Sequence, residues 1–106
     1  MAEDTRTTVL QPTGRLNMVA APALKTLIEE SVAEGRDRIV VDFTDVVFID
    51  SSGLGALIAG LKATRQAGGD LRIAQVPEQV MTVLRLTNLD RVLRAHRTVA
   101  DASHDW

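Results

Sequence analysis

The sequence has no cysteine and no tyrosine, and only one tryptophan, two phenylalanines and three prolines in 106 residues. Without cysteine there is no disulfide, no thiol nucleophile and no Cys-based zinc site, a usage that suits the cytosol. With aromatics at 3%, the core must be built from Val, Leu, Ile and Ala. An excess of either charge sign is also lacking. The net charge is −2, and no Arg/Lys cluster is interleaved with aromatics, which argues against a general nucleic-acid binder. No apolar run approaches the length of a membrane span, and no apolar segment of the signal-peptide kind follows the start. A cytoplasmic protein without membrane contact is therefore expected. What is present is ordinary for a globular chain. Hydrophobic residues make up 45%, too many for disorder, and the length fits one compact domain.

The most informative stretch runs from Val47 to Gly55 and reads V-F-I-D-S-S-G-L-G. It opens as a short buried strand, with Phe48 expected in the core. Asp50, Ser51, Ser52 and Gly53 cannot comfortably continue that strand. Leu54, Leu57, Ile58 and Leu61 then recur at helical spacing. Asp and Ser are good N-caps because their side-chain oxygens accept the free N–H groups of a first helical turn. Gly53 and Gly55 allow another backbone, or a partner, to come close. A hydroxyl is thus held at the positive end of a helix, a favourable place for a phosphate. The simpler reading is that the two serines are only caps.

The rest of the chain alternates strands and helices. Residues 1–7 read as a flexible tail and 8–106 as one domain. Thr8 to Leu16 reads as a strand ending in a turn at Gly14. Ala21 to Ala33 is a helix, with Pro22 in its first turn and Leu24, Leu27, Ile28 and Val32 as its buried stripe. Gly35 stops it. The continuous apolar run Ile39-Val40-Val41, within Arg38 to Phe43, marks a central strand covered on both faces. Thr44 and Asp45 make a turn. A helix from Ser52 to about Ala67 ends at Gly68-Gly69, and Leu71 and Ile73 alternate with Arg72 and Ala74 as a strand. Pro77 opens a helix with Val80, Met81 and Leu84 inward. Leu89 to Ala95 reads as a short last strand, and Thr98 with Asp101 as a capping box. The plan is α/β layers.

Enzyme motifs are missing. Ile58 stands where a dinucleotide fingerprint begun at Gly53-Leu54-Gly55 needs Gly, and neither a G-x-x-x-x-G-K-[ST] loop nor a G-x-S-x-G elbow occurs. His104 falls near the chain end, and His96 reads as a surface residue. Asp42, Asp45 and Asp50 span a strand, a turn and another strand without a ligand pattern, so they read as turn and cap residues. One alternative for Asp50 is to orient the Ser51 hydroxyl or a metal-bound phosphate. Trp106 reads as a packing residue or a loose end. No cofactor and no metal are expected.

The segment D-S-S-G-L-G after an apolar strand resembles the phosphorylation motif of STAS domains, specifically the bacterial anti-sigma factor antagonists. The resemblance extends from about Thr8 to about Ala102. It implies an α/β STAS fold, a mixed sheet of about four to five strands with helices packed mainly on one face. Members usually carry an earlier strand, for which this chain has hardly any room. The resemblance also implies a non-enzymatic switch, a monomer when free. The unphosphorylated form binds an anti-sigma factor with serine kinase activity and so releases a sigma factor. Phosphorylation at Ser51 ends that binding, and a PP2C-type phosphatase resets it. The matching partner-binding positions are Asp50, Ser51, Ser52, Gly53, Leu54, Gly55 and Asn17. Two departures stand out. Asn17 ends Gly14-Arg15-Leu16-Asn17 where many members have G-x-L-D, which removes a carboxylate. Asn88 in Leu86-Thr87-Asn88-Leu89 replaces a Gly in a left-handed turn, which Asn tolerates. Another expectation compatible with the motif is a scaffold or sensory STAS module of a larger signalling assembly. The short chain without a sensor domain favours the free-standing antagonist, and a hydrolase is the weakest reading.

Overall fold

The computed structural model describes residues 7–104 and 106. Ile39, Val40 and Val41 form the middle of β3 (Arg38–Asp42), and all three are fully buried. A run like this needs cover on both faces of its sheet. Ile39 and Val41 belong to the main core with Leu71, Ile73, Leu57 and Ile28, while Val40 packs with Ala74 and Ala102 on the other side.

β3 lies between β1 (Thr7–Leu10) and β5 (Asp70–Ala74), and β6 (Ala95–His96) closes the far edge. β2 (Gly14–Leu16) and β4 (Val46–Ile49) form a separate pair. Every strand pairing among the described residues is parallel. Parallel neighbours need crossovers. These are α1 (Ala21–Ala33), α2 (Ser51–Gln66) and α3 (Glu78–Leu86), which supply buried residues to the main core. The short α4 (Val99–Ala102) covers the opposite face. The α/β layers expected from the sequence are observed, with the described strands divided between two sheets and paired in parallel rather than in one mixed sheet. At Gly60 an added Cβ would lie 2.7 Å from Ile28 Cδ1 and 3.0 Å from Leu71 Cδ1, so α1, α2 and β5 meet where that side chain is missing.

Several local expectations need correction. Thr7 is already in β1, and residues 1–6 lie outside the described residues. The strand expected over Thr8–Leu16 is two strands, broken at Gln11–Thr13. Pro12 has no N–H to give to a ladder, and the neighbouring strand turns at Thr44–Asp45. The two breaks are stitched together by Gly14 N–H to the Asp45 carbonyl (2.8 Å) and by Gln11 Nε2 to Asp45 Oδ2 (3.0 Å). Phe48 is 40% exposed rather than buried. The register shifts between Gly14 and Arg15, so Val47 is skipped, alternation is lost, and β4 buries only Val46 and Ile49. The Phe48 ring instead lies 4.9 Å from the Arg15 guanidinium. Leu27 is also half exposed, because it borders an open groove beside Val9 and Pro12. Ile58 is only partly buried. The segment 89–95 is not one strand. It holds a 3-10 turn (Leu89–Arg91), a fully buried Leu93 and then β6, entered through Asn88 in the left-handed conformation (φ 60°).

The end of the chain is tied down. Thr98 Oγ1 accepts the Asp101 N–H at 3.0 Å and caps α4. Arg72 donates to the Ala102 carbonyl (3.0 Å) and to the His104 carbonyl, and stacks 4.1 Å from the Trp106 ring centroid. Trp106 is therefore a packing residue. His96 is half-buried rather than a surface residue, and its Nε2 has no hydrogen-bond partner among the described residues. Burial pushes the His96 imidazole below its ordinary value, and the cations Arg72 and Arg94 add to this against the weaker pull of Asp101 and Asp70.

Two predictions follow from this packing. Leu57→Ala, at a site with no exposure, should cost about 2–5 kcal/mol. It is read as a lower denaturant midpoint at unchanged slope, and an unchanged midpoint would contradict the assigned core. For His96 the unfolded chain takes up a proton at a higher pH than the folded one. Its contribution is thus fully present above the unfolded value of 6.5 and is lost as pH falls below it. Melts between about pH 7.5 and 5.5 should show stability dropping, and His96→Gln should flatten that slope. An equal slope in the variant would remove His96 as the cause.

Candidate functional site

β4 ends at the buried Ile49, and the chain turns through Asp50, which is extended (φ −115°, ψ −172°). Asp50 is the N-cap of α2. Its Oδ1 accepts the N–H groups of Ser52 (2.9 Å) and Gly53 (3.0 Å), and its carbonyl accepts that of Leu54 (3.0 Å). Helix starts leave such amides without internal partners, and an Asp at this position satisfies them. The helix therefore begins at Ser51, not Ser52, and no serine is the cap. Ser51 is exposed at the first helical position, and Ser52 is half-buried at the second. Oδ1 of the Asp50 carboxylate is engaged with the helix amides.

The second wall of the site is the end of β2. Asp50 N–H donates to the Leu16 carbonyl at 3.2 Å. A Cβ at Gly53 would fall 2.3 Å from that same carbonyl oxygen and 2.8 Å from Ile49 Cγ1. Gly53 thus serves a contact inside the chain. Leu54 is 8% exposed and packs into the main core, so its side chain anchors the helix rather than facing outward. Gly55 is exposed, and among the described residues no atom outside its own stretch of helix lies within 4 Å of where its Cβ would be.

Asn17 has a role that the sequence did not reveal. Its Oδ1 accepts the N–H groups of Val19 (3.1 Å) and Ala20 (3.2 Å), and its carbonyl accepts that of Ala21 (2.8 Å). This is an Asx turn leading into α1. A carboxylate could accept the same bonds, so Asn in place of Asp keeps the turn and removes only the charge. The turn leaves Met18 and Val19 at 74% and 83% exposure. Neither was singled out from the sequence; two apolar residues beside a buried helix carry no periodic signal of exposure. Met18, Pro22, Lys25, Ser52 and Gly55 border a shallow groove of about 380 Å³ between α1 and α2.

Other candidate residues lie elsewhere. Asp42 Oδ1 accepts the N–H (2.9 Å) and hydroxyl (2.6 Å) of Thr44, and Asp45 receives Gln11, so both hold turns as read from the sequence. His96 sits on β6, at the far edge of the other sheet. No group of residues suited to a metal occurs among the described residues.

The exposed serine therefore stands where β2 and β4 end, the place where α/β folds carry their sites. The family model of the STAS domain matches residues 1–102. The chain belongs to the STAS domain family. This STAS domain is 33% identical over 98 residues to a Thermotoga maritima protein named as a candidate anti-sigma factor antagonist, covering 92% of this chain and 87% of that one. It is 25% identical to the anti-sigma-B factor antagonist of Bacillus subtilis, covering 76% and 72%. The crystal structure of a Thermotoga maritima candidate antagonist superposes with a TM-score of 0.87 at 30% identity, over 95% of this chain and 87% of that one. Unphosphorylated SpoIIAA superposes at 0.66 with 19% identity, over 87% and 94%, a likeness of fold. By homology the chain is of the anti-sigma factor antagonist family. No helix of the described residues is long and apolar enough to cross a membrane.

The cap gives a direct test. Asp50→Ala should cost about 0.5–2 kcal/mol by leaving two amides without their acceptor. Gly53→Ala should cost more than Asp50→Ala, because its Cβ meets backbone rather than a movable side chain. Urea unfolding of both variants checks this, and a Gly53→Ala protein as stable as wild type would show that α2 does not approach β2 as described.

Proposed function

We propose that this STAS domain acts as an anti-sigma factor antagonist, switched by phosphorylation of Ser51. The observation that carries the reading is an exposed hydroxyl at the first position of α2, beside a cap that is already complete. Unphosphorylated, the protein binds an anti-sigma factor with serine kinase activity in the cytoplasm and frees its sigma factor. The kinase brings ATP and Mg²⁺. Ser51 Oγ bonds to the γ-phosphorus, the bond to the β-phosphate oxygen breaks, ADP leaves, and the hydroxyl proton passes to the kinase. A PP2C-type phosphatase restores the hydroxyl by hydrolysis. The chain itself acts as acceptor and docking surface, a monomer when free and not an enzyme, built from Asp50, Ser51, Ser52, Gly55 and the Asn17 turn.

The electrostatics support this division. A phosphate adds about −1.5 to −2 charges. The amides of Ser52 and Gly53 already bond Asp50, so a phosphate on Ser51 stays in solvent, where the free fold tolerates it. Against a partner the same group must shed water beside the Asp50 carboxylate, and an unpaired charge buried in an interface is costly.

Calorimetric titration against the anti-sigma factor, with melts of each variant, tests the switch. Ser51→Ala should bind like wild type. Ser51→Asp should melt near normally, the helix dipole offsetting about 0.3–1 kcal/mol. It should bind at least tenfold more weakly, each tenfold being about 1.4 kcal/mol. Phosphopeptide mapping should place phosphate on Ser51. Phosphate on Ser52 or Thr87, or equal affinities for all three proteins, would overturn the proposal.

A further inference from the structure

α2 holds three glycines at non-positive φ, and the fold needs two of them. A Cβ would meet the Leu16 carbonyl at Gly53 and Ile28 Cδ1 at Gly60, but nothing within 4 Å at Gly55. Glycine inside a helix is less stable than alanine, so Gly55 weakens α2 with no packing return among the described residues. It lies one turn after Ser51, on the same helix face. It opens into the groove bordered by Met18, itself 74% exposed. Lys25 is the one charged residue lining that groove, and it is paired with Glu29 at 3.9 Å.

We infer that Gly55 is a specificity-determining residue. Its missing side chain admits an apolar side chain of the anti-sigma factor against the α2 backbone, within one turn of Ser51. The inference rests on the antagonist reading above. The occupant is apolar because the groove offers Met18, Pro22 and a bare helix backbone, with its only charge already paired. It is the anti-sigma factor because the groove is continuous with the surface that presents Ser51. A partner seated there is close enough to meet a phosphate on that hydroxyl.

The test uses Gly55→Ala and Gly55→Leu beside Ser51→Asp, all titrated against a purified anti-sigma factor kinase of the source organism. Gly55→Ala should melt higher by about 4–8 °C, and Gly55→Leu should bind at least tenfold more weakly while remaining folded. A lower melting temperature for Gly55→Ala would show that the fold needs this glycine and would overturn the inference. Wild-type affinity in Gly55→Leu, with Ser51→Asp impaired, would overturn it while leaving the phosphorylation reading intact. Wild-type affinity in every variant, or no binding of the wild type to any such kinase, would overturn both.

Discussion

The start of α2 is held by one carboxylate oxygen and one missing side chain. Asp50 Oδ1 satisfies the Ser52 and Gly53 amides, and Gly53 lies so close to Leu16 that a methyl group would overlap its carbonyl. The first contact sets where the helix begins, and the second sets how near it comes to β2. Together they turn Leu54 into the core and Ser51 out to solvent. They also bring the Asn17 turn, which starts at the next residue after Leu16, to the same surface. A serine one position earlier or later would not combine exposure with this place beside the cap.

That arrangement makes the site nearly independent of the core beneath it. The cap draws on groups of its own turn and on the end of β2, while the sheet is held by Ile39, Val41, Leu71 and Ile73. A negative group added at Ser51 meets solvent and the Asp50 carboxylate, not the apolar interior. A partner covering Met18, Val19 and Ser51 would have to desolvate it. The fold thus permits a modification that changes recognition more than stability.

The layered plan was legible because its signals are strong and local. The run at residues 39–41 could only be a strand covered on both sides, and Leu54, Leu57 and Leu61 could only face inward from a helix. The family motif made Ser51 conspicuous, and Asn88 was correctly read as a left-handed turn. What escaped depends on contacts between distant segments. Phe48 fits a buried strand by pattern, but a register shift against β2 turns it out. Leu27 has helical spacing, but the described residues leave it half exposed beside an open groove. Asn17 differs from the family pattern by a charge, and only the backbone shows that its oxygen holds a turn. Gly53 and Gly55 look alike in the sequence, and only the position of Leu16 separates a packing requirement from an open space.

The central claim is that Asp50 keeps the helix amides when Ser51 is modified, so that the switch acts on the surface. Residue-resolved amide hydrogen exchange on the free protein, before and after phosphorylation, tests it directly. Protection of the Ser52 and Gly53 amides and of the β3 and β5 strands should be unchanged, with differences confined to Ser51 and the 17–19 turn. Loss of protection at Ser52 and Gly53, or across β3 and β5, would mean that the phosphate displaces Asp50 or loosens the fold, and would contradict the account.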